Sequence, residues 1–146
     1  MEIRKEAFSI IWMKEAVTIK IREEYTCPLE IVHDIIRGKW KTIILWQLGY
    51  GRTSLSKLQQ DIEGISQKML LEQLKELMEF GLVAKESFEG YPLRVEYYLT
   101  EGYGKKVLDA LRILQDIGIG YMIDHGQEET LMRKGIYHRK TDAGLM

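Results

Sequence analysis

The chain has 146 residues, 29% of them charged, with 21 Lys and Arg against 22 Asp and Glu (formal net charge −1) and a single cysteine. That length suits one compact domain with its own core, and one Cys excludes an intramolecular disulfide framework and points to a reducing, cytoplasmic setting. The longest run without charge, Thr42 to Gly51, is ten residues where a membrane-spanning helix needs about 20. Glu6, Lys14 and Glu15 bracket a short apolar stretch too closely for a signal peptide. With 45% hydrophobic residues and two prolines the chain reads as globular rather than disordered.

In chain order, residues 1–25 form an extension with two open readings. Ile3, Ala7, Ile10, Ile11 and Val17 approximate a helical stripe, whereas residues 17–21 alternate like a strand. The extension is a candidate for dimer contacts, and Met13 is an alternative start. Cys27-Pro28 opens a first helix, with proline at its first position. Leu29, Val32, Ile35 and Ile36 form its apolar face, and Gly38 ends it. A second helix starts near Lys39, turns Trp40, Ile43, Ile44 and Leu48 inward, and stops at Gly49 and Gly51. Ser54 caps a third over 55–62, closed by Gly64. Ser66 caps a fourth over 67–80, whose Leu70, Leu74, Leu77 and Met78 fall within about a third of the circumference at roughly 100° per residue.

Gly81 ends that helix. Residues 82–88 and 94–99 are rich in Val, Tyr and Phe and are separated by a Gly- and Pro-containing turn, which predicts a hairpin. Thr100 caps a last helix over about 103–123 carrying Val107, Leu108, Leu111 and Leu114, and residues 124–146 read as a loose polar tail. Three short helices, a hairpin and a closing helix predict an α+β, mostly helical fold. Its order is that of a winged helix-turn-helix over 26–123, with a two-stranded wing and, within that range, a C-terminal dimerisation helix.

Specific residues sharpen this. Cys27-Pro28, Gly38-Lys39-Trp40-Lys41, Ile44-Leu45, Gly64-Ile65-Ser66-Gln67-Lys68-Met69-Leu70 and Leu74-Lys75-Glu76-Leu77 follow in register. Gly81-Leu82-Val83, Pro92-Leu93-Arg94-Val95-Glu96-Tyr97 and Leu99-Thr100-Glu101 complete the series. From Cys27 to about Leu114 the chain resembles the HxlR-type winged helix-turn-helix transcriptional regulators, related in fold to the MarR group. The resemblance implies a homodimer that binds operator DNA. It also implies that the cysteine before the proline senses electrophiles or oxidants, as in several relatives.

The chain departs from that pattern at several points. Ser54-Leu55 stands where relatives carry Arg-Phe, leaving Arg52 as the cation that would meet a phosphate. Leu71 and Glu72 replace the usual Thr and Gln or Arg. Gly102-Tyr103-Gly104 reads as a one-residue insertion at the start of the last helix, and Ile117 takes the place of an aromatic.

The fourth helix is the expected recognition element. Ser66 and Gln67 lie at its start, and Lys68, Leu71, Glu72, Lys75 and Glu79 lie opposite its apolar stripe. The first turns of such a helix reach base edges in the major groove. Lysine donates to guanine, Gln pairs with adenine, Leu touches a thymine methyl, and Glu accepts from cytosine N4. The plain alternative is a solvated face of mixed charge. From 38 to 75 the chain carries six basic residues (Lys39, Lys41, Arg52, Lys57, Lys68, Lys75) against three acidic ones, a surplus of +3, and from 101 to 129 it carries three against six. A neutral total thus hides a basic half suited to phosphate. On the wing, Lys85 and Arg94 are the candidate backbone or minor-groove contacts, opposed by Glu86 and Glu89.

Cys27 stands at a helix N-terminus, the positive end of the dipole, which favours the reactive thiolate. As the sole Cys it would oxidise to a sulfenic acid, to a mixed disulfide, or to a bridge between two chains. Otherwise it is a small hydrophobe. His33, His125 and His138 have no metal-ligand spacing, no cofactor motif or catalytic constellation is present, and no enzyme activity is expected. The competing reading is a winged-helix protein–protein interaction module, with Leu71 and Glu72 facing a protein.

Overall fold

The computed structural model describes residues 21–136. The elements are α1 (Pro28–Ile36), α2 (Lys41–Leu48), α3 (Leu55–Asp61), α4 (Gln67–Glu79), β1 (Val83–Phe88), β2 (Arg94–Leu99), α5 (Tyr103–Asp124) and α6 (Glu128–Arg133). The described chain forms two compact units that divide within α5, between Lys106 and Val107. The readings of helix or strand before residue 21, and of Met13 as a start, fall outside the described residues.

Local chemistry accounts for the element ends. Ser54 Oγ accepts the Lys57 N–H at 3.2 Å, and Ser66 Oγ accepts the Met69 N–H at 3.1 Å, which caps α3 and α4 as expected. Gly64, between them, takes φ +86°, where a side chain would be strained. At α1, Pro28 occupies the first position and the Glu30 carboxylate reaches back to accept the Cys27 N–H at 3.2 Å and the Thr26 N–H at 2.6 Å. The Cys27 and Thr26 contacts hold the Glu30 carboxyl below the usual carboxylate range.

In the first unit, α2 lies against α3, α4 and β2, while α4 also lies against β1. Ile44, Leu45, Leu48, Leu58, Ile62, Ile65, Leu70, Leu74, Leu77, Leu82, Val83, Tyr97 and Leu99 are its buried apolar side chains. Each such aliphatic side chain contributes about 1.5–3 kcal/mol on burial. β1 and β2 pair antiparallel from Val83↔Leu99 to Phe88↔Arg94. Thr53 and Tyr97 exchange two backbone hydrogen bonds, Thr53 N–H to Tyr97 O at 3.1 Å and Tyr97 N–H to Thr53 O at 2.8 Å, which adds a one-residue third edge to the wing.

Three expectations change. α1 has no buried residue, and Leu29 on its expected inward face is 74% exposed: amphipathic spacing creates an apolar face but does not supply a neighbour to cover it. In α2, Ile43 is exposed and Leu45 is buried instead, because α2 packs on several sides and its run from Thr42 to Leu48 is uncharged and carries little facial contrast. The stretch after 124 is not uniformly loose, since Glu128–Arg133 forms α6 around a buried Leu131, with two acidic residues in its first turn and Arg133 in its last. In this second unit Leu108, Leu111, Ile119 and Leu131 are buried, while Ile113, Leu114, Ile117 and Tyr121 are exposed on α5.

Candidate nucleic-acid interface

The α3–turn–α4 segment is a helix-turn-helix. α4 sinks Leu70, Leu74 and Leu77 into the core, which leaves Gln67, Lys68, Leu71, Glu72 and Lys75 exposed along one face. Leu71, 42% exposed, is the apolar member of that otherwise polar face. Neither Lys68 nor Lys75 enters an ion pair with another described residue. Glu79, expected on that face, is buried.

Lys41 is corrected most sharply. The sequence places it among the cations available to phosphate, yet its side chain is only 8% exposed. Its ammonium pairs with the Glu76 carboxylate and donates to Gln73 Oε1 at 2.9 Å. Both partners belong to α4. Lys41 therefore points into the back of the helix-turn-helix rather than outward, and the basic surplus counted along the chain overstates the charge that reaches the surface. Lys57 is likewise held by Asp61, one turn away on α3. Lys39 is exposed, with its ammonium 4.4 Å from the centroid of the Trp40 ring.

On the wing, Lys85 is exposed. Arg94 stacks over Phe88 at 4.3 Å, its cross-strand partner, and lies 3.9 Å from Glu96 Oε2. Arg52 does not stand alone either. Its guanidinium donates to Glu86 Oε2 at 2.5 Å, lies 3.8 Å from Glu96 Oε1, and stacks 4.0 Å over the Tyr98 ring. The Glu86 hydrogen bond raises the Arg52 pKa further above its ordinary value, against an opposing desolvation. Burial raises the Tyr97 phenol.

Cys27 is exposed at the N-cap of α1. Among the described residues no group of three or more His, Cys, Asp or Glu is arranged to hold a metal, and no helix is long and apolar enough to cross a membrane.

Sequence reasoning missed Gln73, Glu76, Glu96 and Tyr98 as working parts of this surface. Lys41 and Gln73 are 32 residues apart, and no local signal joins them. A polar Gln and Glu on the flank of an apolar stripe was the only available hint.

The geometry is that of a winged helix-turn-helix, and residues 35–126 match the family model for HxlR-like helix-turn-helix proteins. The chain belongs to that family. An uncharacterized HTH-type transcriptional regulator of Methanothermobacter thermautotrophicus is 39% identical over 99 residues, 68% of this chain and 75% of that protein. The redox regulator HypR in its reduced form superposes with a TM-score of 0.61 at 32% identity, covering 64% of this chain and 92% of that one. The reduced transcriptional regulator YodB from B. subtilis does so with a TM-score of 0.56 at 30% identity, covering 63% and 90%. As an HxlR-like protein the chain is a transcriptional regulator of the helix-turn-helix type, a class that binds DNA and whose members are not enzymes.

Proposed function

We propose that two copies of this chain bind a two-fold DNA operator. Each copy sets α4 into the major groove, with Ser66, Gln67, Lys68, Leu71, Glu72 and Lys75 toward the bases and phosphates. Lys39 and the wing residues Lys85 and Arg94 flank it. The observation that carries the reading is the exposed face of α4. Its two lysines have no carboxylate partner among the described residues, on a helix seated by three buried leucines. The exposed apolar residues Ile113, Leu114, Ile117 and Tyr121 of α5 support pairing between copies.

The test is binding of the full chain to its own upstream DNA at several salt concentrations. Lys68→Ala combined with Lys75→Ala should lower affinity at least about tenfold and reduce the slope of log affinity against log salt by about 2, one counterion per lost phosphate contact. The double variant should melt like the wild type, since both side chains are exposed. Unchanged affinity would remove α4 from the interface and favour the reading in which Leu71 and Glu72 face a protein.

The exposed thiol of Cys27 and the likeness to a protein named as a redox regulator support a switch at the start of α1. Alkylating Cys27 should change operator affinity in the wild type and leave Cys27→Ser unaffected. A wild type indifferent to both alkylation and oxidant overturns the switch.

A further inference from the structure

Arg52 sits in the short segment between α2 and α3, yet its ion-pair and ring partners among the described residues, Glu86, Glu96 and Tyr98, belong to the wing. Glu86 of β1 and Glu96 of β2 are direct cross-strand partners in the antiparallel register. Two carboxylates facing each other across a hairpin repel, and such a pair splays the strands unless a cation lies between them. The Arg52 guanidinium fills that role, 2.5 Å from Glu86 and 3.8 Å from Glu96. Its planar face rests on Tyr98, two residues further along β2 on the same side of the ribbon.

The next residue, Thr53, exchanges both of its backbone hydrogen bonds with Tyr97. The segment that leads into the helix-turn-helix is thus fastened to the hairpin at two adjacent points, one through the main chain and one through a side chain. With Glu86 at 2.5 Å and Glu96 at 3.8 Å from the same Nη1, the guanidinium charge is already largely offset by two carboxylates, which weakens its pull on a phosphate.

We infer that Arg52 is a positioning residue for DNA binding: it fixes the angle at which the wing leaves the helix-turn-helix and does not itself contact DNA. This rests on the operator-binding reading for its effect on affinity, but not for its effect on the wing. Exposed ion pairs add little to global stability, so losing Arg52 leaves the fold intact and frees the hairpin at its base.

The experiment uses the full-length chain with Arg52→Ala, Glu86→Gln and the charge swap Arg52→Glu with Glu86→Arg. Amide hydrogen exchange is read at Thr53 and Tyr97, and affinity for the upstream DNA is measured across a salt series. Arg52→Ala should speed exchange at both amides several-fold. It should lower affinity about tenfold with the salt slope unchanged, because no phosphate contact is lost. Glu86→Gln should do the same in milder form, although it removes a negative charge from the DNA side. The swap should recover most of both losses.

A salt slope reduced by about 1 in Arg52→Ala, with no recovery in the swap, would identify a phosphate contact and overturn the proposal. So would higher affinity in Glu86→Gln. If the wild type binds no DNA, the operator reading fails by itself. The exchange measurement then still decides the clamp, and unchanged protection of Thr53 and Tyr97 in Arg52→Ala overturns it.

Discussion

Gly104→Ala should be the most damaging single-methyl change in the described chain. A Cβ at this position would lie 2.2 Å from the Leu82 carbonyl oxygen, 2.9 Å from Thr100 Oγ1 and 3.2 Å from the Leu99 carbonyl carbon. Two of those atoms are backbone, and two, the Leu82 oxygen and the Thr100 hydroxyl, are already hydrogen-bonded. The Leu82 carbonyl accepts the Thr100 N–H at 3.0 Å, and the Thr100 hydroxyl donates to Gly81 O at 2.7 Å while accepting the Gly104 N–H at 2.9 Å.

Thr100 therefore ties together the entry to β1, the end of β2 and the start of α5. The absence of a side chain at 104 is what lets these three meet. Elsewhere in a helix alanine would gain roughly 0.5–1 kcal/mol over glycine. Here the clash reverses the sign, and the expected cost is about 3 kcal/mol or more, a fall in Tm on the order of 10 °C for a chain of this size. Gly102→Ala is the control. The space its methyl would enter is open, with no neighbouring atom within 4 Å, and its stability should stay within about 0.5 kcal/mol of the wild type. A thermal melt of the two variants checks both, and equal melting temperatures would refute the packing account.

Lys41→Met is the second large effect. It separates two roles that the sequence makes look alike. The variant keeps the length and apolar stem of the side chain and removes the ammonium, leaving Gln73 Oε1 and the Glu76 carboxylate without their donor. Bonds to charged groups are worth about 1.5–3 kcal/mol. Glu76 is 39% exposed and can turn to water, so the lower half of that range is expected, about 2 kcal/mol by urea unfolding.

Replacing Glu76 by Leu in the same chain should recover part of the loss, since an apolar pair of similar volume often substitutes well for a buried ion pair. The slope of affinity against salt should be unchanged in Lys41→Met. Were Lys41 a phosphate contact, the pattern would invert: stability would be retained and the slope would fall by about 1.

Much of this protein was legible from local chemistry. Serine caps at Ser54 and Ser66, proline at the first position of α1, Gly64 in the turn, and the Leu70, Leu74 and Leu77 stripe all act within a few residues. Their outcomes match the observed bounds to within a residue or two. The hairpin followed in the same way from alternation and its Gly- and Pro-bearing turn. The partners of charged residues were not legible. Lys41 and Lys68 look equivalent as letters, yet one is buried against Gln73 and Glu76 and the other faces solvent. Gly102 and Gly104 look interchangeable at the head of α5, and only the Leu82 carbonyl distinguishes them.

By itself, then, the sequence determined the order of elements through α5, the helix-turn-helix with its wing, the exposed face of α4 from Gln67 to Lys75, and the family whose motifs run from Cys27 to about Leu114. The elements rest on short-range propensity and periodicity, which act along the chain, and the family rests on the resemblance of its motifs. Only the tertiary structure decided which basic residues are free to meet a phosphate. It turned Lys41 inward onto α4, set Arg52 between two facing glutamates of the wing, and left Lys68 and Lys75 without carboxylate partners among the described residues. The reason is physical: a charge is neutralised by whatever lies a few ångströms away in space, and residues brought that close by folding can be more than 30 positions apart in the chain.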